Sequence, residues 1–466
     1  WKLMTVNSKP VVNLKSVFSD KSFLKNLFII AVPIILQNFI SSFVNILDTI
    51  MIGRLCTIEL AAVGLGNQLF FLLNLILYGI GSGGMVFTAQ FWGKKDFKGL
   101  QKTFSVSLIV AVFFSAIFTL ACTVFPKEIL SLYSKDAAVI EKGVDYLSVS
   151  AFCFLPFAVN FIFMITLRSI EKVRVAVGAT LVSLFVNLIL NAVLIFGLLG
   201  FPALGVKGAA IATVASRAAE LIILFSVTKK KKYPILGKLK NHFDFDLKFI
   251  RQYFAIVMPV LINESLWSLG ITFHHKIFAG IGTFAYAAYN ITNTVSMLTW
   301  VIFIGFGNGV SVLIGKKIGE QNYDEAKTYA AKVSIFVPFV AVFVGAMLIP
   351  ISYLTPIFFN VETVVLQTVM KLFIILACCY PLKAFNMCML VGILRAGGDT
   401  RFGIVCDTAV MWCVSIPLAY SLSVYTSIPA WGIYICLFSE EPFKALLGLW
   451  RIKSGKWLRS VTNSMS

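Results

Sequence analysis

Apolar stretches of about 20 residues recur from one end of this 466-residue chain to the other, separated by short polar gaps. A helix of that length crosses a ~30 Å hydrocarbon core with its backbone amides satisfied inside the segment, whereas a membrane strand needs only about ten residues of alternating character. The runs here do not alternate. The expected fold is therefore an all-α integral membrane protein. A mean hydropathy of +0.89 and a charged fraction of 13%, against roughly 25% in soluble domains, leave no room for a soluble enzymatic domain.

The formal charge of +19 does not indicate nucleic-acid binding, because the basic residues fall in gaps between apolar runs. They concentrate in the N-terminal arm (Lys9, Lys15, Lys21, Lys25), in GKKDFKGLQK, LRSIEKVR, TKKKKYPILGKLK and the RIKSGKWLR tail. Every second gap is basic, which by the positive-inside rule predicts both termini in the cytoplasm and an even number of crossings, about twelve. The arm is too polar for a signal peptide, and the leading Trp1 suggests a native start further upstream. The nine cysteines show no metal-ligand spacing and are read as packing residues. There is no Walker A loop, HExxH or GxSxG, so no enzyme and no organic cofactor are expected.

The chain also repeats itself. At a shift of 226 residues Pro33 meets Pro259, Asn67 meets Asn293, and Gly79, Gly81 and Gly83 meet Gly305, Gly307 and Gly309. At a shift of 227, Leu167 and Arg168 meet Leu394 and Arg395. One six-helix unit is thus used twice, as an N-terminal lobe over 1–240 and a C-terminal lobe over 241–466, related by a pseudo-two-fold axis along the membrane normal. Such a duplication suits transport by alternating access. The glycines of GIGSGG lie inside an apolar run and read as close helix packing, not as a phosphate cradle.

Polar residues inside the apolar runs are the functional candidates. Gln37, Ser41, Asn45 and Asp48 follow helical spacing along one face of the first crossing. A carboxylate at membrane depth costs on the order of 2.5–3.5 kcal/mol, and such residues mark functional sites. Desolvation disfavours its charge, so Asp48 can exchange a proton, or with amide and hydroxyl oxygens nearby hold Na⁺. Ser183, Asn187 and Asn191 share a face of the fifth crossing, and Thr213 lies in the sixth; amides and hydroxyls of this kind also serve as plain interhelical contacts. The second half does not copy the site. Asp48 aligns with His274, and Asn38 with Glu264, next to Asn263. His274 and His275 are placed near a helix end, while Asp407 either pairs with Arg395 or Arg401 or faces a polar interior.

LDTIMIGRL followed by ELAAVGLGNQ, NLILNAVLIFG, GVKGAAIATVASR and LRAGGDTRF, in this order within a duplicated chain, resemble the multidrug and toxic compound extrusion (MATE) family. The resemblance covers nearly the whole chain. It implies two six-helix lobes about a central cavity, and export of mostly cationic amphipathic compounds from a bacterial plasma membrane in exchange for H⁺ or Na⁺. It places a coupling acid at Asp48, with Asn187, Asn191 and Thr213 as partners and as the ligands of any Na⁺. Some relatives carry an aspartate where Asn191 stands here. Others use acids in the seventh and tenth helices; Glu264 fits the first of these, while Ala384 stands at the second.

The expectation is a secondary antiporter with small-molecule substrates and the lipid bilayer as its partners, and no obligatory protein partner. Ion binding at Asp48 would bias the N-terminal lobe, and Gln37, Asn263, Glu264 and Asp407 would serve substrate or secondary coupling. Two rivals compete. A flippase for lipid-linked oligosaccharides would want cavity cations, for which Lys276 and Lys383 are the candidates. An uncoupled receptor or channel would need neither the duplication nor the intramembrane acids.

Overall fold

The computed structural model describes residues 14–358 and 361–463; Trp1 and Lys9 lie outside the described residues. Eleven described helices are long and apolar enough to cross a membrane. The first six spans are Lys21–Gly53, Thr57–Lys94, Phe97–Val124, Ala137–Ser169, Val173–Phe196 and Gly205–Lys230. The seventh to eleventh are Leu247–Ile281, Thr283–Gly319, Tyr323–Ile357, Thr363–Leu394 and Thr400–Tyr425. The twelfth expected crossing is interrupted: Ala430–Leu437 and Glu440–Ser454 are separate helices on either side of Phe438 and Ser439. Glu440, Glu441 and Lys444 follow that break, and their charges are why the segment is not one continuous apolar span. No strand occurs among the described residues.

Helix ends follow local chemistry. Asp96 caps the third span by accepting the Gly99 amide at 3.0 Å, and Asp136 caps the fourth by accepting from Ala138 at 2.9 Å. The fifth span stops at Gly197, whose φ of 72° is left-handed; a Cβ there would lie 2.8 Å from the Ala203 amide nitrogen, so glycine suits the position on both counts. Pro33 and Pro259 sit inside continuous first and seventh helices. Their missing amides leave carbonyls one turn earlier without the usual helical donor.

The chain forms two compact units. One gathers Pro33–Ser265 with the last residues from Val461; the other gathers residues through Val32 with Leu266–Ser460. The first and seventh helices therefore divide between units near their prolines. Within the Pro33–Ser265 unit the second span packs directly on the N-terminal part of the seventh. A Cβ on Gly79 would lie 2.5 Å from Leu261 Cδ2, and one on Gly83 would lie 2.8 Å from Val257 Cγ2. In the other unit the equivalent Gly309 faces Ala31 of the first helix, where an added Cβ would lie 3.2 Å from the Ala31 Cβ. The glycine stripes thus serve close helix approach in both units.

The tenth and eleventh spans carry π-helical turns at Cys388–Leu394, Val405–Ala409 and Met411–Ser415. One of these turns contains Asp407.

Candidate functional site

Asp48 lies in the last turns of the first span, and the fifth span brings two amides to it. Asn191 donates its Nδ2 hydrogen to Asp48 Oδ1 at 2.7 Å. The amide of Asn187, one turn earlier, ends 3.1 and 3.2 Å from the two carboxylate oxygens. An oxygen there would face a carboxylate, so the charged acid turns the nitrogen of Asn187 toward itself and accepts from it. Both asparagines are buried. The four-residue spacing that put them on one helix face is what converges them on Asp48.

The remaining candidates are distributed differently. Thr213 donates its hydroxyl to the Ala209 carbonyl of its own helix at 3.0 Å. Ser183 donates to the Ser216 carbonyl at 2.9 Å and ties the fifth span to the sixth. Gln37 stands about three turns before Asp48 and belongs to a separate network. Its Nε2 donates to Thr180 Oγ1 at 2.7 Å, and its Oε1 accepts from Arg168 Nη2 at 2.6 Å.

That network ends on a residue pair which sequence reasoning missed. Thr180 donates to Glu220 Oε1 at 2.8 Å, and Arg217 pairs with Glu220 Oε2 at 2.9 Å. Asn160 closes the group by donating to the Arg217 carbonyl at 2.8 Å and to Glu220 Oε2 at 3.2 Å. Glu220 is fully buried. The available signal was SRAAELI, an Arg and a Glu three residues apart in the middle of an apolar run.

Asn263 is buried on the seventh helix and Glu264 beside it is half-buried. In the Leu266–Ser460 unit the buried Asp407 accepts from Lys444 at 2.7 Å. Lys444 also pairs with Glu440 at 3.0 Å, Ser415 donates to Glu440 Oε2 at 3.1 Å, and Asn386 donates to Glu441 Oε2 at 2.7 Å. Sequence reading did not single out Lys444 or the two glutamates. His274 is buried seven residues inside the end of the seventh helix, so it is not a terminal residue; the helix runs on to Ile281. The Lys383 ammonium lies 4.7 Å from the Trp300 ring centroid and 5.6 Å from that of Phe438. Aromatic faces already engage the charge that a lipid pyrophosphate would need.

Comparison with known proteins agrees with this architecture. The chain is 26% identical over 440 residues to the "Probable multidrug resistance protein YoeA" of Bacillus subtilis, covering 93% of both. Among solved structures it superposes on a Vibrio cholerae MATE transporter, VcmN, with a TM-score of 0.86 at 16% identity, over 95% of this chain and 99% of that one. It superposes on an outward-facing conformation of a multidrug resistance MATE family transporter with a TM-score of 0.84 at 20% identity, over 93% and 96%. At such identities the structures speak for the fold alone. The MatE family model matches twice, at residues 33–193 and 259–421, the two matches starting 226 residues apart as in the internal repeat. With that match covering well over half of the chain, the protein belongs to the MatE family of multidrug efflux transporters and is not an enzyme.

Proposed function

We propose that this protein is a proton-coupled antiporter that exports amphipathic, mostly cationic compounds across a bacterial plasma membrane, with Asp48 as the coupling acid and both termini in the cytoplasm. The observation that carries the reading is the grip of Asn191 and Asn187 on Asp48 inside an apolar helix. A carboxylate faced by N–H donors is a charged acceptor already satisfied; it does not offer the ring of oxygens that a hard cation requires. Protonation converts the same carboxyl into a donor. The Asn187 amide can then turn its oxygen toward the new O–H, so two states of the group are each hydrogen-bonded by one set of side chains. Such a two-state element is what an ion must bias to drive a conformational cycle.

The Asp48 to Asn191 contact ties the first span to the fifth, so a change of partner there alters how those helices hold together. The cationic substrate would be attracted by Glu264 and by aromatic faces.

Reconstituted protein loaded with a fluorescent lipophilic cation is expected to export it under an imposed proton gradient. Asp48→Asn should reduce that gradient-driven rate to the level of empty liposomes. Export by the variant at the wild-type rate would remove Asp48 from the mechanism, and export driven by Na⁺ alone would replace the proton.

A further inference from the structure

We propose that the cavity bordered by the linker between the sixth and seventh spans binds one anionic phospholipid of the bilayer, with an acyl chain in the cavity and the phosphate against the lysines at its rim. The site lies wholly within the Pro33–Ser265 unit, and the proposal does not depend on the role of Asp48.

The cavity has a volume of about 550 Å³, inside the roughly 300–1,000 Å³ range of ligand sites. Its walls include Phe104 and Leu108 of the third span, Phe163 of the fourth, and Ile222 and Phe225 of the sixth. Leu239, in the short linker helix Leu239–His242, lines it from the side of the linker. Apart from Ser105, Ser226 and His242 the lining is apolar. Ser105 Oγ and His242 Nδ1 satisfy each other at 2.7 Å, so the interior suits a hydrocarbon chain better than a polar solute.

The linker is fastened beside this cavity by polar bonds to the start of the third span. Gln101 donates to the Pro234 carbonyl at 2.6 Å and accepts from Asn241 at 3.0 Å, and Lys102 pairs with Asp244 at 3.1 Å. Pinned there, the linker still leaves large apolar side chains uncovered: Leu239 is 75% exposed and Phe243, also on the cavity lining, 64%. Apolar groups set among lysines at the end of a membrane helix belong at the level where acyl chains meet head groups.

The charge around the opening is one-sided. TKKKKYPILGKLK brings Lys229, Lys230, Lys238 and Lys240 to exposed positions next to the lining residues. The Lys229 ammonium lies 6.0 Å from the ring centroid of Phe225 in the cavity wall. The acids of the linker are engaged elsewhere, Asp244 by Lys102 and Asp246 by the Phe249 amide, which it accepts at 2.8 Å. Lysines so placed keep their stems along apolar surface and their ammonium groups at head-group level, where they attract anionic lipid. The positive-inside rule accounts for lysines in this gap, but not for an apolar cavity beside them. An occupant with an apolar chain and a negative head group meets both halves of the site, whereas a zwitterionic lipid meets only one.

The test gives the purified full chain in detergent either dioleoyl phosphatidylglycerol or dioleoyl phosphatidylcholine, which share their chains. Bound lipid is counted by native mass spectrometry and unfolding is followed thermally, because a ligand that binds only the folded state raises its melting temperature. Wild-type protein should retain one phosphatidylglycerol and melt a few degrees higher with it than with phosphatidylcholine. Ser226→Trp, at an exposed position on the lining, should fill the opening and abolish both effects with every lysine still present. Lys229→Gln with Lys240→Gln should bring the phosphatidylglycerol response down to that of phosphatidylcholine. If Ser226→Trp does not fold, Leu239→Gln is measured in its place, with the same losses expected. A phosphatidylglycerol-specific rise that survives in the folded cavity variant reports attraction of a polybasic segment without a site, and overturns the proposal. So does an equal response of the wild type to the two lipids, or the same rise with glycerol 3-phosphate alone.

Discussion

At the scale of single residues, the Pro33–Ser265 unit sorts its buried polar groups into two tasks. Asp48, Asn187 and Asn191 form a cluster that can be hydrogen-bonded in two protonation states, whereas Gln37 bridges groups that have to stay paired. Arg168 is a half-buried cation at the end of an apolar helix, and Gln37 Oε1 is its 2.6 Å acceptor. Gln37→Leu would leave that guanidinium without this acceptor and should destabilise the protein by about 1.5–3 kcal/mol, the net worth of a hydrogen bond to a charged group. Gln37→Glu keeps an acceptor in place and should fold with near wild-type stability. Chemical or thermal unfolding of both variants in detergent distinguishes this structural role from a substrate-binding one, for which the leucine variant would melt normally and fail only in transport. Gln37 and Asp48 share one helix face in the sequence, yet they belong to different networks because helical periodicity fixes direction around the axis and leaves depth along it to the neighbouring spans.

At the scale of elements, the second and eighth spans are defined by where they can approach another backbone. Gly83 packs so closely on Val257 that an added Cβ would lie 2.9 Å from the Val257 Cα, a backbone atom that cannot rotate away. Gly83→Ala should therefore cost about 1–3 kcal/mol through overpacking. Gly64→Ala, in the same helix with nothing within 4 Å of the new Cβ, should be neutral or mildly stabilising because alanine is the better helix former. Comparing the two melting temperatures tests whether the stripe acts through contact, since a general intolerance of side chains in this helix would lower both. The interrupted twelfth segment follows a related rule. Its first helix is apolar, and its second opens with Glu440 and Glu441, which are buried only because Lys444, Ser415 and Asn386 bond to them.

At the scale of the whole molecule, neither sequence half contains all of one compact unit. The stretch before Leu266 that packs on Gly79 and Gly83 belongs to the second half, and the stretch through Val32 that faces Gly309 belongs to the first. A fragment of residues 1–240 should thus be degraded when expressed alone and accumulate when co-expressed with 241–466; stable accumulation of the lone fragment would show that the borrowed helix is dispensable. The sequence by itself determined the membrane class, the duplicated helical plan and the convergence of Asn187 and Asn191 on one helix face, because run length and helical periodicity are local properties of the chain. It also marked Asp48, since a carboxylate inside an apolar run stands out before any of its neighbours is known. What only the tertiary structure decided is which polar groups meet: that Gln37 serves Arg168, that Thr213 bonds its own helix, that Glu220 gathers Arg217, Thr180 and Asn160, and that Asp407 joins Lys444. The reason is physical. A buried polar group must find a partner, and whether the nearest one lies a turn away or more than a hundred residues along the chain is set by how the helices pack.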